Sequence, residues 1–436
     1  MAINGEKKVE MLEDNDDAMI KIGQSKRKIY FVILYLLFAV DFISRIGINA
    51  IFPVIQEDMN LTDSQIGLLG GVVLLGMAAF VLPISFWGEK KSTRKAITIS
   101  SIVWGIGSLF SGVASGFGTL AASRFFVGVG NSAFAPLATS TITSWYKKSE
   151  WGKTLGIFNT AMTVGSAAGA VIFAQIASTV GWRVAFYAIA VVSIALSVLS
   201  LIIPDGNKSQ QSSNKSKEKT NNKVSAKAAL KSILKNKALI IMCVGAGIAI
   251  MALNALNSWT SIYFVREMGM SISQSATLVS VMAALSIAGF PIGGFLLDSW
   301  YKKDKRSRMW LPAICIALCG VFYFIGFYFK AIPVILFAAM IYTFGGTAFH
   351  IASQELVPSW FKSVSYGTYV LFIQFLGALG PIVTGFISQA FGLSNAILIV
   401  QGLFIISAVI LIIASFFYIK YYQKARDEEK DNLQVV

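Results

Sequence analysis

Runs of about twenty apolar residues, separated by short polar turns, repeat along almost the whole chain. A bilayer core needs roughly 20 helical residues to cross it. Backbone groups inside lipid must also find their hydrogen bonds within their own segment, so each run predicts a spanning helix. Six runs fall near residues 29–52, 66–87, 96–115, 120–143, 155–179 and 182–203. Six more fall near 238–258, 275–297, 309–329, 332–354, 366–390 and 395–418. Residues 204–237, between the sixes, are rich in Ser, Asn, Gln and Lys, a composition that cannot bury enough apolar surface to fold. The pattern predicts an all-α integral membrane protein with twelve transmembrane helices in two six-helix bundles, 29–203 and 238–420. A cytoplasmic linker, 204–237, joins them, and a polar N-terminal arm, 1–28, and tail, 421–436, flank them.

The two halves are related in sequence. A shift of 215 positions lays Gly130, Ala133, Phe134, Ser144, Trp145, Lys147, Gly152 and Gly165 on the identical Gly345, Ala348, Phe349, Ser359, Trp360, Lys362, Gly367 and Gly380. A shift of 208 lays Pro83 and Ile84 on Pro291 and Ile292, equating the second span with the eighth. Small residues agree by chance in apolar helices, but here Trp, Lys and Gly match in one ungapped register. Six crossings per half keep the halves in the same orientation, as in parallel repeats about an axis along the membrane normal, and this predicts a substrate path at their interface.

Composition fits a bilayer: 55% hydrophobic and 14% charged residues, with a mean hydropathy of +0.67. Of the 37 Lys and Arg residues, 32 fall in the arm, the linker, the tail and alternate loops, while the opposite face holds Arg183, Arg266 and Lys330. The positive-inside rule then predicts cytoplasmic termini. The same segregation accounts for the net charge of +15 without a nucleic-acid partner. The first 28 residues are polar and mixed in charge, which predicts a disordered arm rather than a secretory signal peptide. Cys243, Cys315 and Cys319 fall within spans and show no metal-ligand spacing, so neither a disulfide framework nor a metal or other cofactor is expected. No nucleophile, base and orienter sit at recognisable spacing and no Walker-type phosphate loop occurs, so an enzyme and an ATP-driven pump are both unsupported.

Two arginines remain, Arg45 and Arg124, inside stretches otherwise nearly free of charge. An ionised group at membrane depth costs several kcal/mol unless it faces a cavity with a partner, which marks both as candidate substrate contacts. Asp41, Arg45 and Asn49 are spaced i, i+4, i+8 and form a polar stripe on one helix. Asp41 could neutralise Arg45 until a substrate anion competes for the guanidinium fork, or the two could form a static ion pair. Arg124 and Asn131, seven residues apart, share one helical face, and Gly128 and Gly130 allow a neighbouring helix close approach; a structural bond from Arg124 to backbone carbonyls is the rival reading. His350, the sole histidine, could carry a proton or bond across helices. Asn159 and Gln374, at equivalent places in the repeat, could donate amide hydrogens to a polar substrate, as could Asn254, Asn257 and Ser258, or these groups could serve as interhelical glue.

From about Ile29 to Tyr418 the chain resembles the major facilitator superfamily. Gly294-Phe-Leu-Leu-Asp298 followed by Lys302, Lys303 and Arg306 is similar to its Gly-x-x-x-Asp loop motif, which implies a gating role for Gly294 and Asp298. The first-half copy departs from this pattern, with Phe86 and Lys90 at the Gly and Asp places. Arg124-x-x-x-Gly128-x-Gly130, taken with Arg45, Trp145 and Gly377-Ala-Leu-Gly380-Pro381, is most similar to the anion:cation symporter family. Members of that family often carry a glutamate where Asn131 stands here. The Gly-Pro of drug antiporters is absent, since Ser166 follows Gly165. The resemblance implies a monomeric secondary active transporter of the plasma membrane. It would take up a small organic anion, a sugar acid or other carboxylate, by proton-coupled alternating access. Arg45, Arg124, Asn49, Asn159, Asn257 and Gln374 would bind substrate, with Asp41 and His350 in proton coupling. Efflux of amphipathic compounds, anion exchange and a non-transporting sensor are the alternatives.

Overall fold

The computed structural model describes residues 22–147, 150–205, 233, 235–358 and 362–434. These residues form helices joined by short turns, with no strand among them. Among the described residues eleven helices are long and apolar enough to cross a membrane. The third predicted span, Thr93–Gly112, is a helix of 20 residues but falls outside that set. Its first turn carries Arg94 and Lys95, and its interior is rich in hydroxyl residues. Those hydroxyls are hidden from lipid: Ser101, Ser108 and Ser111 are buried and donate to the carbonyls of Ile97, Trp104 and Gly107 at 2.6, 2.9 and 3.0 Å. A polar helix can cross a bilayer when its polar side faces protein and is bonded there. Packed between the fourth and sixth spans, it makes the twelfth crossing.

The first half comprises Gln24–Asp58, Asp63–Lys91, Thr93–Gly112, Phe117–Asn131 with Phe134–Thr143, Trp151–Thr179 and Trp182–Leu199. The second comprises Lys237–Arg266, Ile272–Tyr301, Ser307–Tyr328, Ile332–Phe344 with Gly346–Glu355, Lys362–Phe391 and Leu393–Gln434. The fourth and tenth spans are thus each broken, about two to three residues apart in the 215-residue register. Close packing repeats as well. A Cβ on Gly165 of the fifth span would clash with the Ala39 carbonyl of the first, as one on Gly380 of the eleventh would with Met251 of the seventh. Gly76 of the second span meets the Phe125 carbonyl of the fourth, and Gly289 of the eighth meets the Met340 carbonyl of the tenth. The sequence repeat is therefore also a repeat of helix contacts.

The second span packs on the eleventh and the fifth on the eighth, joining the halves. Gly67 and Gly71 permit the first contact, since a Cβ on either would stand 2.5 Å from the carbonyl oxygen of Pro381 or Ala378. On the face away from the termini, Asp63 accepts from Arg266 Nη2 at 2.9 Å, Gln56 Nε2 at 2.7 Å and Ser388 Oγ at 2.5 Å. Ser261 donates to the Ala50 carbonyl at 3.2 Å and Ser280 to that of Ala167 at 2.7 Å. Gln56 and Asp63 belong to the same half; the other bonds join the halves, and all lie in the part of the spans away from the termini. On the other side, Glu355 gathers the second bundle to itself, accepting from Tyr418 at 2.5 Å and pairing with Arg308 at 3.5 Å. The last helix continues to Gln434, well beyond the residues a crossing needs.

Candidate functional site: an arginine-lined cavity between the bundles

A cavity of about 520 Å³ lies between the halves. The first span contributes Arg45 and Asn49, the fourth Arg124, and the second Val73 and Leu74. Gly128 fixes the fourth span against the second, because any side chain there would enter the Val73 carbonyl. That close approach sets the depth at which Arg124, one turn earlier, is held. Arg124 is wholly buried and donates through Nη2 to the Ser44 carbonyl at 3.1 Å, while its Nε and Nη1 have no partner. Arg45 lies over the Phe42 ring at 4.1 Å and points Nη1 at the Met77 sulfur at 3.3 Å, with Nε unbonded. A thioether is a weak acceptor. Two guanidiniums therefore stand largely unsatisfied in one cavity, and no Asp or Glu appears among its described lining residues.

Several predicted residues converge here. Asn49, Asn257, Gln374 and His350 all line the cavity, as do Asn254 and Ser258. Gln374 Nε2 points at the same Met77 sulfur at 3.9 Å, so that sulfur lies between Arg45 of one half and an amide of the other. The His350 ring stands 5.6 and 5.5 Å from the rings of Tyr366 and Tyr369.

Others are placed elsewhere. Asp41 is 3% exposed, is absent from the lining, leaves Oδ1 unbonded and makes no ion pair with Arg45 within 4 Å. Helix geometry supplies the reason. Each i, i+4 step drifts about 40° around the axis, so Asp41 and Asn49 lie about 80° apart and only the upper part of the stripe faces the cavity. Asn159 is exposed and off the cavity, which the fifth span instead reaches with Met162, Thr163 and Ser166. Asn131 ends its helix at 2% exposure with both side-chain polar atoms unbonded. Gly294 has open space where a Cβ would stand, and Asp298 is exposed without an ion pair among the described residues. Both lie near the terminus-side end of the eighth span.

The structure adds Met77, Ser286, Tyr323, Tyr342 and Tyr369 to the arrangement. The tyrosines were legible as polar groups within apolar runs. Met77 carried no signal, since methionine is an ordinary filler of apolar interiors.

The sequence profile of the Major Facilitator Superfamily matches residues 34–362. The chain belongs to that superfamily. It is a multi-pass membrane transporter and not an enzyme. It is 24% identical to the hexuronate transporter of Bacillus subtilis (strain 168) over 87% of this chain and 93% of that protein. It is 23% identical to the probable L-galactonate transporter of Escherichia coli (strain K12), over 85% and 86% of the two chains. Among solved structures it superposes on a bacterial homologue of the human lysosomal transporter Spinster, in an inward-facing and unoccupied conformation. The TM-score is 0.76 at 20% identity, covering 93% of this chain and 99% of that one, which shows a shared fold.

Proposed function

We propose that this transporter carries a small organic anion, a sugar acid or comparable carboxylate, by proton-coupled uptake in which the cavity is exposed to the two sides in turn. The observation that carries the reading is the pair of guanidiniums with unbonded donors in a cavity without a lining carboxylate. A guanidinium fork suits a carboxylate bidentately, and its charge is costly at this depth without an anion. Relatives named for hexuronate and L-galactonate support the same class.

In this reading Arg45 and Arg124 hold the acid group, and Asn49, Asn257 and Gln374 supply amide contacts. Asn159, exposed outside the cavity, has no part in binding. Asp41, beside the site but not bonded to Arg45, takes up the coupling proton, with His350 as the second candidate. Bonds between the halves close the face opposite the termini, and rocking of the bundles opens it. Gly294 and Asp298 act in gating on the terminus side. The termini are cytoplasmic, the membrane is the plasma membrane, and the working unit is a monomer.

The test is uptake of labelled D-gluconate and D-glucuronate into proteoliposomes under an inward proton gradient. Arg45→Ala is expected to abolish uptake with reconstitution intact, and Arg45→Lys to leave it well below the parent, because an ammonium lacks the planar fork. Normal uptake by Arg45→Ala would reject Arg45 as the anion contact. Amphipathic cations carried in place of acids would favour the efflux reading.

A further inference from the structure

We infer that the substrate bears a single acidic group and an uncharged, hydroxyl-rich opposite end, and lies across the cavity with its acid toward the N-terminal bundle. This rests on the anion reading above.

The two walls of the cavity differ in kind. Both lining guanidiniums, Arg45 and Arg124, come from the first half. No Lys or Arg of the second half lines the cavity among the described residues. That wall instead presents Asn257, Ser258, Tyr323, Tyr342, Tyr369 and His350, and none of these side chains has a hydrogen bond within the described protein. The amide and hydroxyls can each donate and accept, which is the complement of an alcohol and not of a fixed charge. Tyrosine rings add flat apolar faces for the C–H side of a polyol.

An aldonate or hexuronate satisfies both walls. Its carboxylate meets the guanidiniums of Arg45 and Arg124 at the cavity wall, and its hydroxyls meet the neutral groups opposite. A dicarboxylate of the same length would strip a second carboxylate of water against a wall with no fixed cation, and a buried charge without a partner is strongly disfavoured. An acid without hydroxyls would leave the polar wall unpaired, and a site built to hydrogen-bond hydroxyls discriminates against an analogue that lacks them. The cavity of about 520 Å³ accommodates a six-carbon acid with room for bridging water.

The test is calorimetric titration of the purified full-length protein at pH 8, where an ordinary imidazole is uncharged. The panel comprises gluconate, galactonate and glucuronate as hydroxylated monoacids, with glucarate, hexanoate and glucose as comparators. The best monoacid is expected to bind at least about tenfold more tightly than glucarate and than hexanoate, the order of effect of an unpaired buried polar group. Asn257→Ala with Tyr342→Phe should reduce the preference for the hydroxylated acid over hexanoate without weakening hexanoate itself. Arg45→Ala should weaken both. Glucarate binding as tightly as the best monoacid, or hexanoate matching it, would overturn the inference while leaving the anion reading in place. A panel in which no acid binds more tightly than glucose would reject the anion reading itself. The ligand comparison on the parent protein decides the matter even where a variant folds poorly.

Discussion

Arg124 keeps one donor on the Ser44 carbonyl and leaves Nε and Nη1 unbonded, so it ties the fourth span to the first while also facing the cavity. From sequence these two roles look like alternatives; the geometry shows the backbone bond and leaves two donors over, so in the proposed reading one side chain serves both. Arg124→Lys is therefore expected to affect two readouts together. Acid affinity should fall by about 1.5–3 kcal/mol, the scale of a charge-assisted hydrogen bond, and the melting temperature should drop as well. Titration calorimetry and thermal unfolding of the same preparation check this; an unchanged affinity would confine Arg124 to a structural role. Asp41 leads to a different expectation. Asp41→Asn imitates a permanently protonated carboxyl, so uptake driven by a pH gradient should vanish while counterflow exchange persists. Exchange needs only the loaded protein to reorient, whereas net uptake also needs the proton to leave and the empty carrier to return. Gradient-driven accumulation by Asp41→Asn equal to the parent would remove Asp41 from coupling. Charges inside apolar runs made Arg45, Arg124 and Asp41 visible in the sequence. What sequence could not give was their orientation: the drift of the helix took Asp41 out of the lining, and Arg45 turned onto Phe42 and Met77 rather than back toward Asp41.

At the scale of the helix, glycines record where backbones must touch. Gly128→Ala would press a methyl group into the Val73 carbonyl, and backbone on both sides leaves no flexible side chain to yield. Overpacking of this kind costs about 1–3 kcal/mol, so the variant should show a lowered melting temperature and a displaced Arg124. Gly294→Ala meets open space and is expected to unfold like the parent, so any loss of transport there would point to gating rather than folding. Thermal unfolding of the pair checks both, and equal stability of the two variants would contradict the packing described. Most helices were legible because each apolar run had the length of a crossing. The breaks at Ser132 and Gly345 were not, since small residues in an apolar run signal close packing as readily as a bend. The last helix also runs on to Gln434, through residues whose polar composition suggested a tail. Their helical propensity and an i, i+4 pair between Lys424 and Glu428 at 3.8 Å suit continued helix.

Across the whole molecule, the repeat predicted two bundles, and a cavity lies between them; the second span's contact with the fourth, at Gly76 and Phe125, recurs between the eighth and tenth, at Gly289 and Met340. The bonds away from the termini, which the proposed reading takes as a seal, were not foreseeable, because they join residues from different halves: Asp63 with Arg266 and Ser388. Asp63→Asn weakens that seal and should raise the population opened toward that face. Spin labels at Glu57→Cys and Ser273→Cys, both exposed on that side, should then report a longer distance component than in the parent. An unchanged distribution would remove Asp63 from the seal. The central claim, that the cavity is built for an anion, is tested most directly by comparing an acid with its own neutral amide. Gluconate and gluconamide should be titrated into the purified protein under identical conditions. If Arg45 and Arg124 hold the carboxylate, gluconate should bind more tightly by roughly 2–5 kcal/mol, the scale of a buried charge-assisted contact. Equal affinities would contradict the account.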